Sequence, residues 1–410
     1  MAKTIGIIVA LDTKGEEAGF VRDYLAGQGL TTLVVDTGVL GEPSFAADVT
    51  RAEVAAAGGD DHAALVASGD KARAMAAMTR GAAAIAAQLH RAGKIDGLIG
   101  MGGSAGTTIG TSAMRALPVG VPKVIVSTVA SGVTRPYVGE KDITMMYSVV
   151  DVAGLNRISA RILTNAAAAV AGMVVAEPPA RDERPLIAAS MFGNTTACVD
   201  RARGTLESKG YEVLVFHATG AGGRTMESLI ADGYFVGVLD LTTTEWADEL
   251  CGGVFAAGPH RMEAAARAGV PQVVAPGCLD MANFGAPETV PERYRGRRLY
   301  EWNPTVTLMR TTPEENAALG AIIAEKVNLS AAPVTVLLPL KGVSQLDSPG
   351  GEFWWPEADG ALYDAIRANL RPDIPVVELD LNINDPAFAD TATETLLRYI
   401  GAKAASGGRR

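Results

Sequence analysis

The chain has 410 residues, of which 48% are hydrophobic, with a formal charge of −10 and a pI of ≈ 5.1. This length suits two or three domains of about 100–200 residues, and the acidic balance excludes a general nucleic-acid binder, which carries a basic field. Cys198, Cys251 and Cys278 show neither zinc spacing nor a disulfide framework. No signal peptide precedes the first apolar run, and the longest soft stretch, 166–176, falls short of the roughly 20 residues that span a bilayer. The expectation is a cytoplasmic protein without a membrane or nucleic-acid partner.

From the N-terminus, strand-length apolar runs at 5–11, 32–35, 95–101 and 123–127 alternate with helical stretches at 15–28 and 70–91. Strands alternating with helices predict βαβ units and a parallel sheet. A Pro-rich polar stretch at 177–185 interrupts the pattern, which then restarts. The predicted fold is therefore α/β, with two Rossmann-like, doubly wound, mostly parallel domains at 1–180 and 185–405. Aligning Gly29 with Gly210 sets Asp12-Thr13-Lys14 over Gly193-Asn194-Thr195, and the segment 97–103 faces 237–243. Both halves thus read as one plan, either by duplication or because βαβ units resemble one another.

Ligands of open α/β sheets bind beyond the carboxyl ends of the strands, so the loops there carry the functional reading. In the first half, Leu98-Ile-Gly-Met-Gly-Gly-Ser-Ala-Gly-Thr-Thr-Ile-Gly110 takes a buried strand through a glycine turn into a helix. Gly102, Gly103 and Gly106 let backbone approach an anion. Free amides at the helix start favour it, and Ser104, Thr107 and Thr108 add hydroxyls. The P-loop lysine is absent, and the turn does not follow the first strand as a dinucleotide fingerprint does. After the first strand, Asp12-Thr13-Lys14-Gly15 supplies a cation, Lys14, for a polyphosphate. Thr13 serves as a cap or phosphate ligand, and Asp12 holds Mg²⁺ through water or orients Lys14. Ser127-Thr-Val-Ala-Ser-Gly-Val-Thr134 adds a small polar loop that includes Ser131.

These three motifs together resemble the family that includes the ATP-binding inhibitory domain of the tomato mosaic virus resistance protein, over nearly the whole chain. The resemblance implies ATP with Mg²⁺ in the N-terminal Rossmann-like domain, and a homodimer. It implies nucleotide contacts at Thr13, Lys14, Gly102, Gly103, Ser104, Gly106, Thr107 and Ser131.

In the second half, His217-Ala-Thr-Gly-Ala-Gly-Gly-Arg-Thr-Met-Glu227 joins a glycine turn to Arg224, whose planar fork suits a carboxylate or phosphate. His217 and Glu227 suit acid–base work. The strand ends at 240–245, 277–283 and 339–347 add further polar groups, among them Asp280 and Lys341, and 348–355 reads as a lid or a partner-binding loop. His217, Arg224, Glu227, Asp280 and Lys341 are the candidate catalytic residues, with no motif for a metal ligand set. Three functions follow: an ATP-dependent enzyme acting on a small anionic metabolite, a nucleotide-sensing binding protein, or an ATP-independent lyase, isomerase or hydrolase using the second half.

Overall fold

The structure, a computed structural model, describes residues 2–179 and 183–407; of the boundary stretch 177–185, residues 180–182 lie outside the described residues. Two compact units, Met1–Ala180 and Arg181–Arg410, divide the chain.

The first unit runs β1 (Thr4–Val9), α1 (Leu11–Gly27), β2 (Thr31–Asp36), α2 (Arg51–Ala57), α3 (His62–Ser68), α4 (Lys71–Arg91), β3 (Gly97–Gly102), α5 (Ser104–Arg115), β4 (Lys123–Ser127), α6 (Arg135–Val138), β5 (Thr144–Tyr147) and α7 (Arg157–Val175). Among the described residues its strands form one parallel sheet of order β2-β1-β3-β4-β5. The strands are apolar on both faces because helices cover both. Ile5, Ile7 and Val9 pack with α1 and α7, while Ile8, Leu98 and Ile125 pack with α2, α4 and α5. α7 is long and apolar enough to cross a bilayer by length and composition, but here it buries Leu163, Ala166, Ala167 and Val170 against the sheet.

The second unit runs β6 (Leu186–Met191), α8 (Thr196–Ser208), β7 (Glu212–His217), α9 (Ala221–Ala231), β8 (Phe235–Thr242), α10 (Glu245–Cys251), α11 (Ala264–Ala268), β9 (Gln272–Gly277), β10 (Met281–Phe284), β11 (Leu299–Asn303), β12 (Val306–Arg310), α12 (Pro313–Asn328), β13 (Val334–Pro339), α13 (Pro356–Asn369), β14 (Val376–Leu379) and α14 (Pro386–Gly407). Its parallel sheet has the order β14-β13-β9-β8-β6-β7. Read from β7, this is the order of the first unit with one strand added. Both sheets therefore reverse direction between their first and third strands. An antiparallel sheet of order β10-β12-β11 is an addition of the second unit, with Asn303 at its hairpin turn.

Two buried ionic networks hold the carboxyl ends of the second sheet. Arg261 is 2% exposed and reaches Asp240 (2.5 and 2.6 Å), Glu245 (2.6 Å) and Glu227 (3.1 Å). Met262, next to it, holds φ +70, a costly conformation for a side-chain-bearing residue. Farther along the sheet, Arg310 reaches Asp359 (2.6 Å) and Asp347 (3.5 Å), and Asp280 Oδ2 accepts from Ser344 Oγ (2.8 Å). Three buried carboxyls crowd around one guanidinium, which favours their protonated forms. Burial and the neighbouring Asp347 push Asp280 up to about 7 and Asp359 up to about 8, and burial raises Asp347. The three thiols are also buried. Burial pushes Cys198 and Cys251 up to about 12 and raises Cys278 well above the usual thiol value.

Arg261→Met strands the buried carboxylates of Asp240 and Glu245 and the partly buried one of Glu227, and is expected to cost about 3–5 kcal/mol, read as a lower urea midpoint of the second unit. All four tryptophans, Trp246, Trp302, Trp354 and Trp355, lie in that unit and report its unfolding. Folded-state pKa values of Asp280 and Asp359 above the ordinary carboxyl value mean that the folded chain binds more protons than the unfolded one between about pH 4 and 8. The stability from this cluster is therefore complete below about pH 4 and is lost as pH rises to about 8. Asp280→Asn is expected to flatten that fall in the tryptophan-monitored midpoint.

Candidate functional site

The crossover between β1 and β3 builds the site of the first unit. β3 ends in Gly102 at φ +153, where a Cβ would stand 3.1 Å from the Gly106 Cα; a Cβ on Gly106 would meet the Met101 carbonyl at 3.1 Å. The two glycines thus let the first turn of α5 close onto the strand end. The N-cap residue of α5, Gly103, offers no side chain, and the first intrahelical bond is Thr107 N–H to the Gly103 carbonyl, 2.8 Å. The amides of Ser104, Ala105 and Gly106 are consequently left without helical acceptors. All three residues line a cavity of about 280 Å³ together with Ala10, Asp12, Thr13, Lys14, Gly102 and Gly103.

A second cavity, of about 520 Å³, adjoins it and shares Thr37, Val39, Leu40, Met75, Ala105 and Ile109 with it. Leu65, Val66, Ala74 and Met78 complete an aliphatic wall, with Asp70 and Lys71 also lining it. The arrangement joins a donor-rich anion cradle to an apolar pocket of small-molecule size.

The other predicted residues of this unit divide. Asp12, Thr13 and Lys14 lie within α1, which starts at Leu11 because the Leu11 amide donates to Asp36 Oδ1 (3.0 Å). The polar turn expected before the helix is thus its first turn, kinked at Lys14 (φ −132°, ψ 25°). Lys14 Nζ donates to the Thr13 carbonyl (3.3 Å), and Asp12 Oδ2 accepts from the Leu40 and Gly41 amides (2.7 and 3.2 Å). Thr107 is buried, and its hydroxyl bonds the Gly103 carbonyl and Ser127 Oγ (2.8 and 2.7 Å), so it braces β4 instead of facing the cavity. Thr108 Oγ1 donates back to the Ser104 carbonyl (2.9 Å). Ser131 is exposed on the turn after β4, outside the residues that line the two cavities. Sequence reasoning missed Asp36, which accepts from Leu11, Gly38 and Arg51. An acid at the end of the second strand was the available signal.

In the second unit most candidate groups are engaged by the protein itself. The glycine turn before α9 does bind an anion, the Glu245 carboxylate, which accepts from the Gly220 and Gly223 amides (2.7 and 3.1 Å). Glu227 accepts from the Met262 and Ala264 amides (both 2.7 Å) and from Arg261, and burial raises its pKa. Asp280 is fully buried within the Arg310 network, and Lys341 pairs with Asp380 at the surface (2.9 Å). Arg224 is half-buried and donates to the Ala256 carbonyl (3.2 Å). His217 lies 5.4 Å from the Phe192 ring centroid, and partial burial pulls its pKa below the usual histidine value. Segment 348–355 is packed down: Phe353 is fully buried and its carbonyl accepts from Arg310 Nε (2.7 Å). Arg261, the centre of the network, has no local signal, since its partners are 16–34 positions away in sequence.

Comparison with known proteins adds relationship to this geometry. Residues 3–179 match the N-terminal domain of the uncharacterised protein family UPF0261, and residues 184–400 match its C-terminal domain. The chain is 53% identical over 402 residues to a UPF0261 protein of Clostridium tetani, covering 98% of this chain and 100% of that one. It is 47% identical over 398 residues to a UPF0261 protein of Mesorhizobium japonicum, covering 94% and 97%. The ToMV resistance protein Tm-1(GCR237) of Solanum lycopersicum is 45% identical over 309 residues, 73% of this chain and 41% of the tomato protein, so the relationship expected from the three motifs holds. With both domains matched end to end, the chain belongs to the UPF0261 family.

Proposed function

We propose that the first unit binds ATP, with the triphosphate on the Ser104–Gly106 amides and the base in the adjoining aliphatic cavity. One observation carries this reading: unpaired amides at the start of a 12-residue helix open onto a polar cavity that continues into an apolar one. The amides and the helix dipole favour an anion, Lys14 supplies positive charge, and the aliphatic wall takes a flat heterocycle. Mg²⁺ fits beside the phosphates. Asp12 lines the polar cavity and its Oδ1 has no hydrogen-bond partner, and Mg²⁺ is ordinarily held by one or two carboxylates together with phosphate oxygens.

A second reading, an ATP-dependent enzyme acting on a small anionic metabolite, draws on His217 at the end of β7 and on Arg224 near the start of α9, whose planar guanidinium suits a carboxylate or phosphate. Release of ADP or AMP dependent on one metabolite in a broad screen supports it. Binding without turnover leaves a nucleotide-sensing protein.

Ser104→Asp places a carboxylate where the phosphates are proposed to sit. It also adds about 0.3–1 kcal/mol of favourable helix-dipole interaction. The expected outcome is an unchanged or higher melting temperature together with loss of the stabilisation that Mg-ATP gives the wild-type chain by mass action. Lys14→Ala is expected to weaken Mg-ATP roughly tenfold, about 1.4 kcal/mol, with a shallower salt dependence in calorimetric titrations.

A further inference from the structure

The two cavities of the first unit meet at the segment between β2 and α2. Leu40, on that segment, lines both and is 76% exposed; Val66, which also lines the apolar cavity, is 50% exposed. Apolar packing does not place Leu40, because most of its side chain is in solvent. Its backbone is tied to Asp12: its own amide donates to Asp12 Oδ2 at 2.7 Å, and the Gly41 amide donates to the same oxygen at 3.2 Å. Gly38 makes room for the clasp, since a Cβ there would come within 2.7 Å of the Asp12 Cγ.

Other bonds tie the same segment. The Gly38 amide donates to Asp36 (2.9 Å), Ser44 Oγ donates to the Leu11 carbonyl (2.8 Å), His62 Nε2 meets the Gly38 carbonyl (3.1 Å), and Arg51 donates to the Gly41 carbonyl. The segment is therefore a preformed wall, not a loose flap. Of its clamps Asp36, Ser44, Arg51 and His62 line neither cavity; Asp12 alone among them lines the polar one.

We infer that Asp12 is a positioning residue that joins the two ends of the site: its carboxylate, at the phosphate end, sets Leu40 as the wall against which the apolar end of the ligand packs. The inference rests on the nucleotide reading of this site. It assigns Asp12 an effect on ligands that fill only the apolar cavity and never reach the carboxylate. The two oxygens allow the roles to be separated. Asparagine keeps one acceptor oxygen for the Leu40 and Gly41 amides and removes the charge.

The test titrates the full chain with three probes, adenosine, Mg²⁺ with inorganic tripolyphosphate, and Mg-ATP, with circular dichroism confirming the fold of each variant. Asp12→Ala and Leu40→Ala are each expected to weaken adenosine about tenfold, the scale of one leucine contact. The double variant is expected to be no weaker than either single one, because both remove one wall. Asp12→Asn is expected to bind adenosine as the wild type does while losing affinity for Mg²⁺-tripolyphosphate. Should Asp12→Ala not fold, Leu40→Ala and Asp12→Asn still decide the matter. Adenosine binding that Leu40→Ala leaves unchanged, or that Asp12→Asn loses along with tripolyphosphate, overturns the inference. So does a wild-type chain that binds Mg-ATP but not adenosine. A wild-type chain that binds none of the three overturns the nucleotide reading itself.

Discussion

A helix that begins where a parallel strand ends presents amides that its own backbone cannot satisfy, and the architecture of both units turns on what accepts them. In the first unit the residue that opens α5 is Ser104, and the amides that follow face a cavity. In the second unit the residue that opens α10 is Glu245, whose carboxylate reaches across to the amides at the start of α9. The open amides follow the third strand of the first unit, whereas the filled ones follow β7, the second strand of the other.

Filling that position from within has a physical cost that explains the surrounding residues. A carboxylate taken out of water needs a partner, and Arg261 is that partner; Asp240 and Ser190 then extend the network onto the central strand. The loop that delivers Arg261 bends at Met262 through a left-handed backbone conformation. The added antiparallel sheet caps the neighbouring strand ends: Phe192, Cys278, Met281, Leu308 and Phe353 form one apolar cluster there. The second unit therefore carries its polar strand ends mostly as internal struts. The first unit, with fewer residues, leaves its strand ends open.

The alternation of apolar runs made the parallel sheets legible, and the glycine spacing at 100–106 made the turn into α5 legible, because both are local signals. Distant partners decided the rest. Leu11 starts α1 early because Asp36, 25 positions away, takes its amide. Thr107 carries a hydroxyl in the expected place, but Ser127, 20 positions away, turns it from the cavity. Met75 and Leu65 carry no local signal of a site, and the packing of α3 and α4 makes them the wall of a pocket. Glu227 and Asp280 have the chemistry of catalytic acids, yet Arg261 and Ser344, which sequence spacing does not connect to them, take them as hydrogen-bond partners.

The burial of Cys198, Cys251 and Cys278 has a practical meaning. A thiol reacts as its thiolate, and burial holds all three in the neutral form. The native chain thus offers maleimides and oxidants an almost silent background. A single cysteine engineered onto the surface, for instance beside the mouth of the first unit's cavities, carries a dye or spin label at one defined position without prior removal of the natural ones.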